Sequence, residues 1–92
     1  MNRPQLVDLF SGAGGLSVGF RDAGFNPVFA ADWNAHACAT YEVNLGPHSH
    51  QIDLGSADPT ALAKEILNKV GAVDVVGAAH LVRASRYRDA RR

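Results

Sequence analysis

Short apolar runs alternate with helix-length segments along most of this chain, and that alternation limits its folds to a small set. Gln5–Phe10 is apolar except for Asp8 and ends at Ser11-Gly12, with the length and Val/Leu/Phe content of a buried strand. Gly14–Ala23 reads as a helix, with Leu16, Val18, Phe20 and Ala23 available for packing and Gly24 as its stop. Pro27–Ala31 is a second apolar run, and Asn34–Asn44 a second helix closed by Gly46-Pro47. Gln51–Leu54 is a third, short strand. Asp58-Pro59 has the form of an N-cap with Pro at the first helical position. Leu62, Ile66, Leu67 and Val70 then make one apolar stripe, Gly71 ends the helix, and Ala72–Val76 is a fourth strand. Strand–helix alternation at this spacing predicts βαβ units, a parallel sheet and right-handed crossovers.

Ninety-two residues make one small domain or part of a larger one. At 47% hydrophobic and 20% charged, the composition is globular and excludes a disordered or collagen-like chain. No apolar run approaches the ~20 residues needed to cross a bilayer. Met1–Pro4 lacks a secretory apolar region. The single cysteine, Cys38, excludes an intrachain disulfide and fits a reducing compartment, so a cytoplasmic location is expected. The net charge of zero hides an asymmetry: residues 1–82 carry four Lys/Arg against eight Asp/Glu, and residues 83–92 carry five Arg and one Asp. An Arg-rich end can hold nucleic acid or stay solvated.

The densest chemical signal is Asp8-Leu9-Phe10-Ser11-Gly12-Ala13-Gly14-Gly15-Leu16, a strand running through a glycine-rich turn into a helix. Small residues let backbone N–H groups approach a ligand, and the helix N-terminus favours negative groups. The same glycines also serve a tight β–α turn. Asp32 lies 20 residues beyond Gly12, at the end of the second strand. An acid there can accept from two ribose hydroxyls or cap the next helix. Trp33 can stack on an adenine or pack in the core. Taken together, turn, spacing, acid and Trp point to a nucleotide-like ligand. NAD prefers Gly-x-Gly-x-x-Gly/Ala, and here the third place is Ser17. S-adenosylmethionine (SAM) needs a looser turn, a ribose acid and an apolar wall. Both ligands stay open, with the balance toward SAM.

The segment Asp8–Phe20 strongly resembles the first motif of DNA cytosine-5 methyltransferases, and Ala31-Asp32-Trp33-Asn34 through Thr40–Asn44 resembles their second. Asp53-Leu54 stands where their third motif has an Asp and an aliphatic residue. The resemblance covers roughly residues 5–76. It implies part of a Rossmann-like SAM-dependent α/β fold, four parallel strands ordered 3-2-1-4 with three helices. It also implies that Phe10, Gly12 and Gly14 line the methionine moiety of SAM, and that Asp32 takes the ribose. Trp33 would cover the adenine face, Asp53 would bind the adenine amino group and Leu54 would pack on the ring. The implied partner is DNA. In the family's reaction a cytosine is flipped out and a cysteine thiolate attacks its C6, which makes C5 nucleophilic toward the SAM methyl group.

That cysteine belongs to a Gly-Gly-Pro-Pro-Cys-Gln-Gly-Phe-Ser motif after the fourth strand, and the chain departs from the family there. The codons GGC GGC CCA CCT TGT CAG GGC TTC TCG C spell that motif. Read one nucleotide later, they spell Ala-Ala-His-Leu-Val-Arg-Ala-Ser-Arg, which is Ala78–Arg86. The expectation is a single-nucleotide frameshift near Gly77, with Val82 at the cysteine position. Residues 1–76 would then be the N-terminal part of the methyltransferase domain and 77–92 an out-of-frame tail lacking a target-recognition region. The expected chain is an inactive fragment prone to aggregation. The alternatives are a small NAD-binding module and an Arg-tailed nucleic-acid interaction protein. Cys38 reads as a small buried residue. His48 and His50 read as solvated, without a Cys or acidic partner for a metal, and His36 and His80 have no evident partners.

Overall fold

The computed structural model describes residues 3–78. Four strands and three helices alternate: β1 (Gln5–Leu9), α1 (Gly15–Asp22), β2 (Asn26–Asp32), α2 (Ala35–Leu45), β3 (Ser49–Gln51), α3 (Pro59–Val70) and β4 (Val75–Gly77). All pairings are parallel and the strand order is β3-β2-β1-β4, as the resemblance implies. Val82 and the Arg-rich tail lie outside the described residues.

β1 is central, and its alternating side chains set the two layers. Val7 and Leu9 join Phe29, Ala31 and the α3 residues Ile66, Leu62 and Val70 in one core. Asp8, on the opposite face, reaches Ser17 of α1 and through it Tyr41 of α2. Helices therefore cover both faces of the sheet. The β1–β2 register shifts between Leu6 and Val7, opposite Pro27, which cannot donate to the ladder.

Four sequence expectations change, and the fourth strand is one: it is Val75–Gly77 rather than Ala72–Val76, because those are the residues that pair with Leu6–Asp8. The third strand is Ser49–Gln51, earlier than Gln51–Leu54, because His50 and Gln51 pair with Ala31 and Asp32. Ile52 keeps one bond to the Asp32 carbonyl, and Asp53 and Leu54 follow in the loop beyond the strand. α1 turns Ser17 fully inward and leaves Ala23 exposed, because Asp8 draws the Ser17 hydroxyl. Leu67 is off the α3 stripe: Leu62, Ile66 and Val70 face the sheet and Leu67 faces solvent. The Asp58 cap is observed, its carboxylate accepting from Ala61 N at 3.2 Å. Among the described residues no helix is long and apolar enough to cross a membrane.

Candidate cofactor-binding site

The candidate residues gather at the C-terminal ends of β1, β2 and β3, where ligands bind in open α/β sheets. β1 leaves the sheet at Phe10, whose φ of 58° is left-handed, and Gly12 (φ 55°) and Gly14 (φ 104°) continue the turn. The turn is stitched to the end of β2: Ser11 N donates to the Ala31 carbonyl at 2.9 Å, and Gly14 N closes back on the Ser11 carbonyl at 3.0 Å. The two glycines do different work. A Cβ on Gly12 would meet nothing within 4 Å, so its surface is open. A Cβ on Gly14 would meet the movable end of Leu45 and lie 3.0 Å from the buried Tyr41 ring at Cδ2, so the left-handed φ and the close approach to α2 together favour glycine there.

Asp32 is the hinge of the site. Its Oδ2 accepts from Gly12 N and its Oδ1 from Asn34 N, both at 2.9 Å. Asn34, not Asp32, is the N-cap of α2, its side chain accepting from Ala37 N at 3.0 Å. A carboxylate offers about four lone-pair positions. Two are used by backbone donors, which leaves two acceptor positions on an already oriented group.

Trp33 is 66% exposed and is not a core residue. With Gln51 and Asp53 it lines a shallow pocket of about 480 Å³, and Gln51 Nε2 donates to the Trp33 carbonyl at 3.1 Å. Asp53 Oδ1 accepts from Gly55 N at 3.1 Å, which holds the loop before α3. Phe10 and Leu54 line a second, largely apolar pocket of about 310 Å³ against Pro59, Leu62 and Ile66. Asp53 and Leu54, adjacent in sequence, thus each border one of the two pockets.

Cys38 is buried in α2 with its Sγ on the Asp32 carbonyl at 3.5 Å, as a small core residue. His48 is partly buried and bonded to Tyr41, and His50 stacks on Phe29 with ring centroids 4.4 Å apart. This corrects the expectation that both are solvated. Among the described residues no cluster could hold a metal ion. Sequence reasoning missed a buried polar line from Asp8 through Ser17 and Tyr41 to His48. Its one visible signal was the acid interrupting the first apolar run. Burial pushes the Asp8 carboxyl up and His48 down from their ordinary values, with Ser17 partly offsetting the first and His50 adding to the second.

The C-5 cytosine-specific DNA methylase family model matches residues 5–72. The chain is 41% identical over 73 residues to the type II methyltransferase M.AgeI of Thalassovita gelatinovora, covering 78% of this chain and 17% of that protein. It is 35% identical over 79 residues to a DNA-cytosine methyltransferase of Escherichia coli K12, covering 84% of this chain and 16% of the relative. A solved structure described as an E. coli prophage DNA modification methyltransferase superposes with a TM-score of 0.67 at 27% identity, over 82% of this chain and 22% of that one. The matched region is thus a small part of each relative. Turn, acid and parallel sheet agree with the family match over most of the described residues, and the chain belongs to the C-5 cytosine-specific DNA methylase family.

Proposed function

We propose that this chain is the SAM-binding portion of a DNA cytosine-5 methyltransferase and transfers no methyl group by itself. The observation that carries the reading is Asp32: two backbone N–H groups orient its carboxylate at the end of β2, with acceptor positions left for two ribose hydroxyls. Trp33 offers an exposed indole for the adenine face, and Asp53 a carboxylate for its amino group in the same pocket. Leu54 and Phe10 supply an apolar wall. Gly12 opens the turn to the methionine end, and Gly14 keeps the turn close against α2. Bound SAM supplies an electrophilic methyl group on its sulfonium.

Catalysis also needs a thiolate for C6 of the flipped cytosine. The sequence holds one cysteine, and Cys38 is buried inside α2. The frameshifted tail with Val82 at the nucleophile position completes this reading, with DNA as the substrate of the full family domain and a reducing cytoplasm as its setting. NAD is disfavoured because Ser17, at its third glycine position, is committed to Asp8 inside the core.

Calorimetric titration with SAM tests the reading. The chain should bind SAM weakly, and Asp32→Ala should weaken binding further by about 1.5–3 kcal/mol, the range for a hydrogen bond to a charged group. Equal affinities would remove the ribose assignment. Duplex DNA incubated with methyl-labelled SAM should stay unlabelled; labelled 5-methylcytosine above a no-protein control would overturn the inactivity.

A further inference from the structure

Four polar side chains from separate parts of the fold meet in a line beside the glycine-rich turn. Ser17 Oγ of α1 donates to Asp8 Oδ2 of β1 at 2.5 Å, and Tyr41 Oη of α2 donates to Ser17 Oγ at 2.9 Å. Tyr41 Oη and His48 Nε2, from the segment between α2 and β3, are 2.8 Å apart. Asp8, Ser17 and Tyr41 are completely buried. Each hydroxyl carries one proton. With Asp8 as the carboxylate, Ser17 spends its proton on Asp8 and Tyr41 spends its own on Ser17, which leaves the Tyr41 oxygen to accept from His48. That requires a proton on Nε2 and gives the line a single direction, from the partly exposed imidazole inward to the carboxylate.

The other edge of Tyr41 meets the turn, since a Cβ on Gly14 would lie 3.0 Å from its Cδ2. Gly14 is also the N-cap of α1, and its carbonyl accepts from Val18 N. A ring held through its hydroxyl therefore sets the height of Gly14 and of the first turn of α1. We propose that Tyr41 is a positioning residue for the glycine-rich turn, fixed by a one-way hydrogen-bond relay from His48 through Ser17 to Asp8. Its functional meaning rests on the reading of this turn as part of a SAM site. The relay itself does not depend on that reading.

The experiment uses the whole chain, isotopically labelled, with Tyr41→Phe, His48→Ala and His48→Gln. In the wild-type chain the His48 Nε2 proton should be visible by NMR at neutral pH because the relay protects it from exchange, and Tyr41→Phe should abolish that signal. The Gly12 and Gly14 amides should exchange about tenfold faster in Tyr41→Phe, while β2 amides keep their rates. SAM affinity should fall by a similar factor. His48→Ala should behave like Tyr41→Phe, whereas His48→Gln, whose amide can donate to Tyr41, should restore the wild-type exchange. The His48 pair keeps the test open if Tyr41→Phe fails to fold. An exchanging His48 ring proton in the wild-type chain would overturn the proposal, as would unchanged glycine amides or uniform acceleration across the sheet. A protected relay in a chain that binds no SAM would instead sink the cofactor reading and leave the positioning intact.

Discussion

At the glycine-rich turn nearly every polar group closes on another: Gly12 and Asn34 on Asp32, Ser11 on Ala31, Ser17 on Asp8. A few residues away, at the same end of the sheet, Trp33 and Asp53 face outward. Asp53 is held through short-range bonds from Gly55 and Ser56, and Trp33 through its carbonyl. The turn is held by its own hydrogen bonds, whereas the rim leaves the Trp33 and Asp53 side chains exposed. Changes in the turn should therefore act on stability and binding together, and changes at the rim on binding alone.

The largest effect should come from Gly14→Ala. It combines a left-handed φ of 104° with a Cβ pressed 3.0 Å from the buried Tyr41 ring, so a loss of about 2–4 kcal/mol in urea unfolding is expected from strain plus overpacking. Gly12→Ala shares the positive φ without that contact, and about 1–2 kcal/mol is expected. Equal losses at the two glycines would erase the distinction between them. Next in size is Trp33→Ala, which should weaken SAM binding by about 0.5–1.5 kcal/mol through lost stacking. Its unfolding midpoint should stay within the roughly 0.5 kcal/mol typical of surface sites. A large stability loss at Trp33 would mean that the rim is built like the turn.

The smallest effect is a pH response to which His48, beside the turn, contributes. Burial lowers His48 from its ordinary 6.5, so the folded chain prefers the neutral ring. That contribution is present above 6.5 and is lost as pH falls through the depressed value. Asp8 is raised from 3.8, so its contribution runs the other way and is lost as pH rises through the elevated value. Thermal unfolding followed against pH should show the acid-side loss reduced by His48→Gln, with His50, also lowered by burial, still contributing. An unchanged acid limb in His48→Gln would detach His48 from the stability of the turn.

Much of the architecture was legible because it depends on local signals. The Asp58-Pro59 cap, the Gly71 stop and the glycine-rich turn announced their elements, and the resemblance supplied the strand order. The third strand was misplaced because Ile52 and Leu54 carry its apolar character, while pairing with Ala30–Asp32 chooses Ser49–Gln51. The position of Asp32 was legible from spacing. Its grip on Gly12 was not, because it needs the turn's backbone geometry. The Asp8–His48 line joins residues from two helices, a strand and a loop. No periodicity encodes such a meeting, and Ser17, placed among apolar residues of α1, gave no sign of facing inward.

The strand order has a consequence for synthesis. Of the described strands β1 is made before the others, yet its two neighbours are β2 and β4, whose residue Val75 pairs with Leu6 only after two further helices are made. One side of β1 thus waits, with β2 in place and its other edge unclaimed, for roughly 2–9 s at the ~5–20 residues per second of translation. During that interval the edge of β1 that β4 will pair is open to other chains, and the speed of elongation through α3 sets how long it stays so.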